Sequence, residues 1–191
     1  MNLKIPNREL KRKAIHLTFG IIILSLIIFL GAEISTKLVT LSLIFGVIIS
    51  ILIIKKIKIP LIQKIILSVE RDDERKFPGK AAIYFLAATL IVMTLFKDEP
   101  TIIITALSIQ IFADTTAALI GMQFGKRKVF RKKTLEGSIG FFIIAFICIS
   151  IFYPTHVAII SAIIATLVEI LPLDDNLFVP LFTAMALKAF T

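Results

Sequence analysis

Apolar runs close to membrane-spanning length recur along this chain, at 14–30, 38–54, 81–96, 102–124, 138–152, 157–171 and 177–190, with short charged segments between them. A helix needs about 20 mostly apolar residues to cross a bilayer. Lipid offers the backbone no hydrogen bonds, so runs of this kind are driven to be helical. With 58% hydrophobic residues and a mean hydropathy of +0.97, the composition lies well above that of a soluble domain. The runs predict an all-α, polytopic integral membrane bundle of about seven transmembrane segments, with residues 1–191 forming a single membrane-embedded domain and no separate soluble catalytic module. The last run is marginal in length and open to a tilted, re-entrant or buried placement.

Charge sets the expected orientation. Nineteen of the 22 Lys and Arg residues fall in three segments: the N-terminal 13 residues, 55–80, and the loop 126–133. The positive-inside rule places all three at the cytoplasmic face, with the N-terminus inside and the C-terminus outside. Net charge of +9 then reads as cytoplasmic loops near anionic headgroups rather than as a nucleic-acid surface. No A-x-A-like cleavage site follows the first run, so it is read as a retained helix. The segment 57–70, IKIPLIQKIILSVE, has apolar residues at helical spacing, as in an interfacial helix. ERDDERK at 70–76 reads as a solvated, self-paired stretch. Pro78 and Gly79 mark a break, and Pro100 marks a helix start. Cys148, the single cysteine, lies in an apolar run, which excludes a disulfide framework and a thiolate metal cluster.

The fourth run carries a carboxylate. Asp114 costs at least ~2.5–3.5 kcal/mol in mid-membrane, so it reads as a metal ligand or catalytic group rather than as a helix-gluing hydrogen bonder. Ala117, Ala118, Gly121 and Gly125 share its helical face. G-x-x-x-G spacing usually means close helix packing, and the same smallness would let backbone N–H groups approach phosphates. The loop then brings Lys126, Arg127, Lys128, Arg131, Lys132 and Lys133, followed by Thr134, Glu136, Gly137 and Ser138. Such a loop can simply set topology, but cations with an adjoining acid are also what a polyphosphate and Mg²⁺ need. Glu169, Asp174, Asp175 and Asn176 add oxygen ligands suited to a hard divalent cation, the plainer reading being a turn in which Asn176 caps the last helix. His16, after Arg12, Lys13 and Ala14, is either a satisfied interfacial histidine or a catalytic one.

These blocks, RKAIH (12–16), ERKFPGKAAIYF (74–85), ADTTAALIGMQFGK (113–126), KTLEGSIG (133–140) and VEILPLDDNLFVP (168–180), resemble the CTP-dependent lipid-alcohol kinases: dolichol kinase, phytol kinase and the CTP-dependent diacylglycerol kinase. The likeness extends more distantly to the phosphatidate cytidylyltransferases. It implies transfer of the γ-phosphoryl group of CTP to the hydroxyl of a polyprenol, phytol or diacylglycerol type of lipid, giving CDP and a lipid monophosphate, with Mg²⁺ as cofactor. By this resemblance Asp114, His16 and Glu136 are catalytic candidates. Asp114, Asp175, Asn176 and Glu169 are metal candidates, with Glu136 a further one. Gly121, Gly125, Lys126, Lys132, Lys133, Thr134, Gly137, Ser138, Arg12 and Arg75 are nucleotide or phosphate candidates, and Glu74 stands beside them in a second tier. Whether Asp114 holds metal or receives the alcohol proton is left open.

Two other functions compete. A cytidylyltransferase would use nearly the same residues to make a CDP-lipid. A small transporter would also carry an intramembrane acid, but its polar motifs should sit at mid-membrane and its halves should repeat, and no internal repeat is visible. The expected setting is a cell membrane, crossed several times, with the site at the cytoplasmic face. The oligomeric state is open, a homo-oligomer included.

Overall fold

The computed structural model describes residues 5–70, 76–130 and 133–191. Among them the chain is an all-α bundle with one small hairpin. Its elements are α1 (Asn7–Ile54), α2 (Pro60–Val69), α3 (Lys80–Leu95), α4 (Pro100–Ser108), a π turn (Ile109–Ala113), α5 (Asp114–Phe124), β1 (Lys128–Phe130), β2 (Lys133–Thr134), α6 (Leu135–Ser150), α7 (Thr155–Ile170) and α8 (Asp175–Phe190). Two stretches, Asn7–Ile54 and Pro100–Phe124, are long and apolar enough to cross a membrane, and α3, α6 and α7 are shorter apolar helices.

The first two apolar runs are joined more tightly than a linker at 31–37 would imply. Helix breaks only at Gly31, whose φ of 76° and ψ of 169° lie outside the helical range, and resumes at once. A side chain at that φ would be strained, so glycine localises the break to one residue. The residues after it are held in helix by local bonds: Thr36 donates to the Ala32 carbonyl at 2.7 Å, and Lys37 pairs with Glu33 at 2.7 Å, one turn away.

Pro60 and Pro100 occupy first-turn positions, where a missing N–H costs nothing. Gly79, at φ 79°, turns the chain into α3, and its N–H donates to Glu70. The fourth run is one rod, but its centre is a π turn placed directly before Asp114. Wide turns of this kind shift the side chains that follow them and are common at functional sites.

α5 packs on α6, α6 on α7 and α7 on α8, while α1 and α8 both pack on α3. Close approach comes from small residues. Ala158, Ala162 and Ala165 on α7 are fully buried, as are Phe141, Ala145 and Ile149 on α6. A Cβ on Gly137 would come within 2.8 Å of the Ala117 carbonyl, and one on Gly121 within 3.0 Å of Thr134 Oγ1. Large apolar side chains instead face outward, among them Phe29, Leu41, Phe45, Leu61, Leu95, Ile151 and Leu167.

Two local expectations are corrected. The cationic loop is not wholly irregular: β1 and β2 pair antiparallel, and Leu135 N–H closes the hairpin onto the Arg127 carbonyl. Asn176 is not the cap of α8. Asp174 stands at the N-cap, and Asn176 lies inside the first turn with its side chain turned to another helix.

Candidate functional site

A connected set of buried and part-buried polar side chains ties six helices together. From α1, Lys13 reaches Asp114 at the start of α5, its Nζ lying 2.5 Å from Oδ2 and 3.3 Å from the Asp114 carbonyl. Only 6% of the Lys13 side chain and 14% of that of Asp114 are exposed. One turn along α1, His16 Nε2 lies 3.2 Å from the Gln110 carbonyl and 3.6 Å from Asp114 Oδ2. The Phe85 ring packs against the imidazole edge. In the π turn, Gln110 donates through Nε2 to Asn176 Oδ1 at 3.1 Å, which carries the network to α8.

The second half of the set is centred on Lys133. Its Nζ lies 2.7 Å from Asp175 Oδ1 and 3.3 Å from Glu169 Oε1. Ser138 Oγ donates to the other Glu169 oxygen at 3.2 Å. At the edge of the set, Lys80 at the start of α3 pairs with Asp174 at 3.0 Å and lies over the Tyr84 ring. Lys133 therefore sits between carboxylates from two helices, while Lys13 is held by the carboxylate and the carbonyl of Asp114. Each buried charge has a partner, as the cost of desolvation demands.

A different arrangement surrounds Glu136. It lies in the first turn of α6, ahead of the apolar span that follows, and its two oxygens are each 3.4 Å from the Arg127 N–H. Backbone N–H groups, its own first, hold the Glu136 carboxyl below the ordinary glutamate value, so it is an anion at neutral pH. With Met122, Gln123, Phe124, Gly125 and Lys126 it lines a cavity of about 480 Å³ at the end of α5. Lys126, Arg127 and Lys128 are exposed.

The candidates thus divide. Asp114, His16, Lys133, Asp175, Asn176, Glu169 and Ser138 are brought into one network. Glu136 and Lys126 stand apart from it, at the cavity. Gly121, Gly125 and Gly137 are spent on helix contact: the space a Cβ would need at each is taken by Thr134 or by facing backbone. Thr134 is itself buried and caps α6, accepting from Gly137 N–H at 3.2 Å. Arg12 pairs with Glu9 on its own helix at 2.9 Å. Lys132, Glu74 and Arg75 lie outside the described residues. Sequence reasoning missed Lys13, Gln110 and Lys80 as members. Lys13 precedes His16 by one turn, and Gln110 precedes Asp114 by four residues inside an apolar run; those spacings were the available signals.

One comparison decides the family. A model described as the Cytidylyltransferase family matches residues 3–187. The chain belongs to that family. It is 33% identical over 187 residues to an uncharacterized protein of Methanocaldococcus jannaschii, covering 95% of this chain and 93% of that one. It is 29% identical over 206 residues to phytol kinase 1, chloroplastic, of Arabidopsis thaliana, covering 95% of this chain and 66% of the kinase. Against CTP-dependent diacylglycerol kinase 1 of Schizosaccharomyces pombe it is 26% identical over 149 residues, covering 66% of this chain and 67% of the kinase. The chain thus spans about two thirds of the length of these kinases. The motif resemblance to CTP-dependent lipid kinases is upheld at the level of family. No solved structure matches the chain.

Proposed function

We propose that this member of the family is a multi-pass membrane enzyme that transfers the γ-phosphoryl group of CTP to the hydroxyl of a membrane lipid alcohol, releasing CDP. The reading is carried by the largely buried Asp114, which stands beside His16 and a lysine directly after a π turn, in a chain related to proteins named as CTP-using and phytol kinases. The outward-facing large apolar side chains support embedding in lipid, and the concentration of cations in three segments supports a cytoplasmic site.

The lipid hydroxyl oxygen forms a bond to the γ-phosphorus as the bond to the β–γ bridging oxygen breaks, and the electron pair leaves with CDP. The alcohol proton goes to a base within the network, Asp114 or His16. Lys13 and Lys133 supply positive charge to the oxygens of the transferring group, the kind of electrostatic support such a transfer requires. Both lysines start paired to carboxylates, so nucleotide binding exchanges one set of anions for another.

Residues for Mg²⁺ are present in type. Asp114, Asp175 and Glu169 offer carboxylate oxygens, and Gln110 Oε1 is a buried amide oxygen with no hydrogen-bond partner. Among the described residues no three His, Cys, Asp or Glu side chains gather into a ready metal cage. Mg²⁺ ordinarily keeps several waters and binds through one or two carboxylates plus substrate phosphates, which this donor set suits. Bound there, it would neutralise charge on the β- and γ-phosphates.

CTP labelled separately at α and γ tests the reaction, using purified protein, Mg²⁺ and a panel of lipid alcohols. Label from γ in the lipid, with CDP as co-product, is the expected result. The family model's own description favours the second reading, a lipid-phosphate cytidylyltransferase. Given a lipid phosphate, label from α in the lipid with pyrophosphate released would establish that reading instead.

A further inference from the structure

The cavity at the end of α5 takes no part in the acid–lysine network, yet its lining suits one half of the nucleotide. A nucleobase needs apolar surface for its ring and polar groups for its edge. Met122 and Phe124 provide the first, Gln123 and Glu136 the second. A carboxylate only accepts hydrogen bonds, while an amide both donates and accepts. Cytosine presents an amino donor next to a ring nitrogen acceptor. Uracil carries a carbonyl in place of the amino group and an N–H in place of the acceptor. A carboxylate facing that position binds the first base and repels the second.

Distance along the helix fits the same ligand. Gln123 and Phe124 follow Asp114 by nine and ten residues on one helix, a rise of about 13–15 Å. A nucleoside triphosphate in extended form covers a length of that order. With its base at the cavity, the phosphate nearest Asp114 is the terminal one, and the α-phosphorus stays near Lys126.

We propose that this cavity seats the cytosine of CTP, with Glu136 accepting from the base amino group and Gln123 bonding the adjoining edge, so that the nucleotide runs along α5 with its γ-phosphate toward Asp114 and Lys13. The assignment rests on the CTP-using reading above and adds base selectivity and the direction of the donor.

Isothermal titration of the full-length protein in detergent with CDP and with UDP tests it without requiring turnover. Wild type is expected to favour CDP. Glu136→Gln, whose amide can donate to the uracil carbonyl, lowers the CDP:UDP affinity ratio by ~10-fold or more, the worth of a hydrogen bond to a charged group. Glu136→Ala, which removes the carboxylate without offering a donor to uracil, lowers the same ratio by a smaller factor and carries the test if Glu136→Gln fails to fold. A wild type that binds both equally, or variants that weaken both by one common factor, overturns the assignment. The γ-label experiment stands apart from this one. Label in the lipid with an unmoved affinity ratio removes the base seat and keeps the kinase. A Glu136-dependent preference for CDP with no label from γ keeps the base seat and removes the kinase.

Discussion

The network under Asp114 and the loop around Lys126 are built from the same residue types, lysines and acids, but in different surroundings. Lys13 and Lys133 are largely buried, and each is fixed to a carboxylate on another helix. Lys126, Arg127 and Lys128 stand exposed on or beside a short hairpin, and none of the three forms an ion pair among the described residues. Removing one partner of a buried pair strands the other charge, whereas an exposed charge is already served by water and screened by salt. The network can therefore hold reacting groups in place, and the loop can draw in a polyanion without being ordered first.

Asp114→Asn should give the largest effect and can break this contrast outright. Turnover is expected to fall ~10²-fold or more, the scale for a lost base or charge-stabilising group. The amide also leaves Lys13 buried and unpaired, at a cost of ~3–5 kcal/mol, so the melting temperature should drop as well. The double change Lys13→Met with Asp114→Asn separates the two consequences. Thermal melting should recover, since an apolar chain can replace the buried ammonium, while turnover stays low. Near-normal turnover in either protein would make Asp114 structural glue and leave the loop as the more important region.

Lys133→Gln should come next, with turnover down ~10-fold or more from the loss of a phosphate-facing cation. It leaves Glu169 and Asp175 facing each other without a cation between them. If these oxygens can hold Mg²⁺, the added ion should raise the melting temperature of Lys133→Gln more than that of wild type, through preferential binding to the folded state. An equal response in the two proteins would mean that the acids serve only Lys133.

The two regions also differed in how far they could be read from sequence. Hydropathy runs and proline positions located the helices, because helix length and first-turn chemistry depend on local residues. They could not show that the break after the first run shrinks to Gly31, since Ala32 to Lys37 are equally acceptable in a linker or a helix. Asp114, Asp175 and Glu169 were legible because acids at such positions are expensive. Their lysine partners were not. Lys13 and Asp114 lie 101 residues apart, and a lysine near a helix end reads as a topology signal until its partner is known. Gln110 escaped because an amide in an apolar run suggests helix packing. The glycine strip gave the opposite difficulty: its spacing fitted both helix contact and phosphate approach, and only the facing Thr134 and the Ala117 carbonyl show which use the space allows.

Lys126→Gln should give the smallest effect and sharpen the comparison most, because its expected signature differs in kind. Lys126 is exposed and lines the cavity mouth. A charge there attracts the nucleotide in the ground state and the transition state alike, so its removal should raise KM for CTP ~3–10-fold and leave kcat unchanged. Attraction of this sort acts through solvent, where the screening length is about 10 Å at 0.1 M salt and shorter above it. The gap between wild type and Lys126→Gln should therefore narrow as salt is raised. The deficit of Asp114→Asn should persist at every ionic strength, since its partners are in contact and shielded from ions. Steady-state kinetics at several salt concentrations, run on both variants side by side, measure this directly. A Lys126→Gln protein that loses kcat by a factor independent of salt would place that lysine in contact with the reacting phosphate, and the division between a fixed network and a steering loop would not survive.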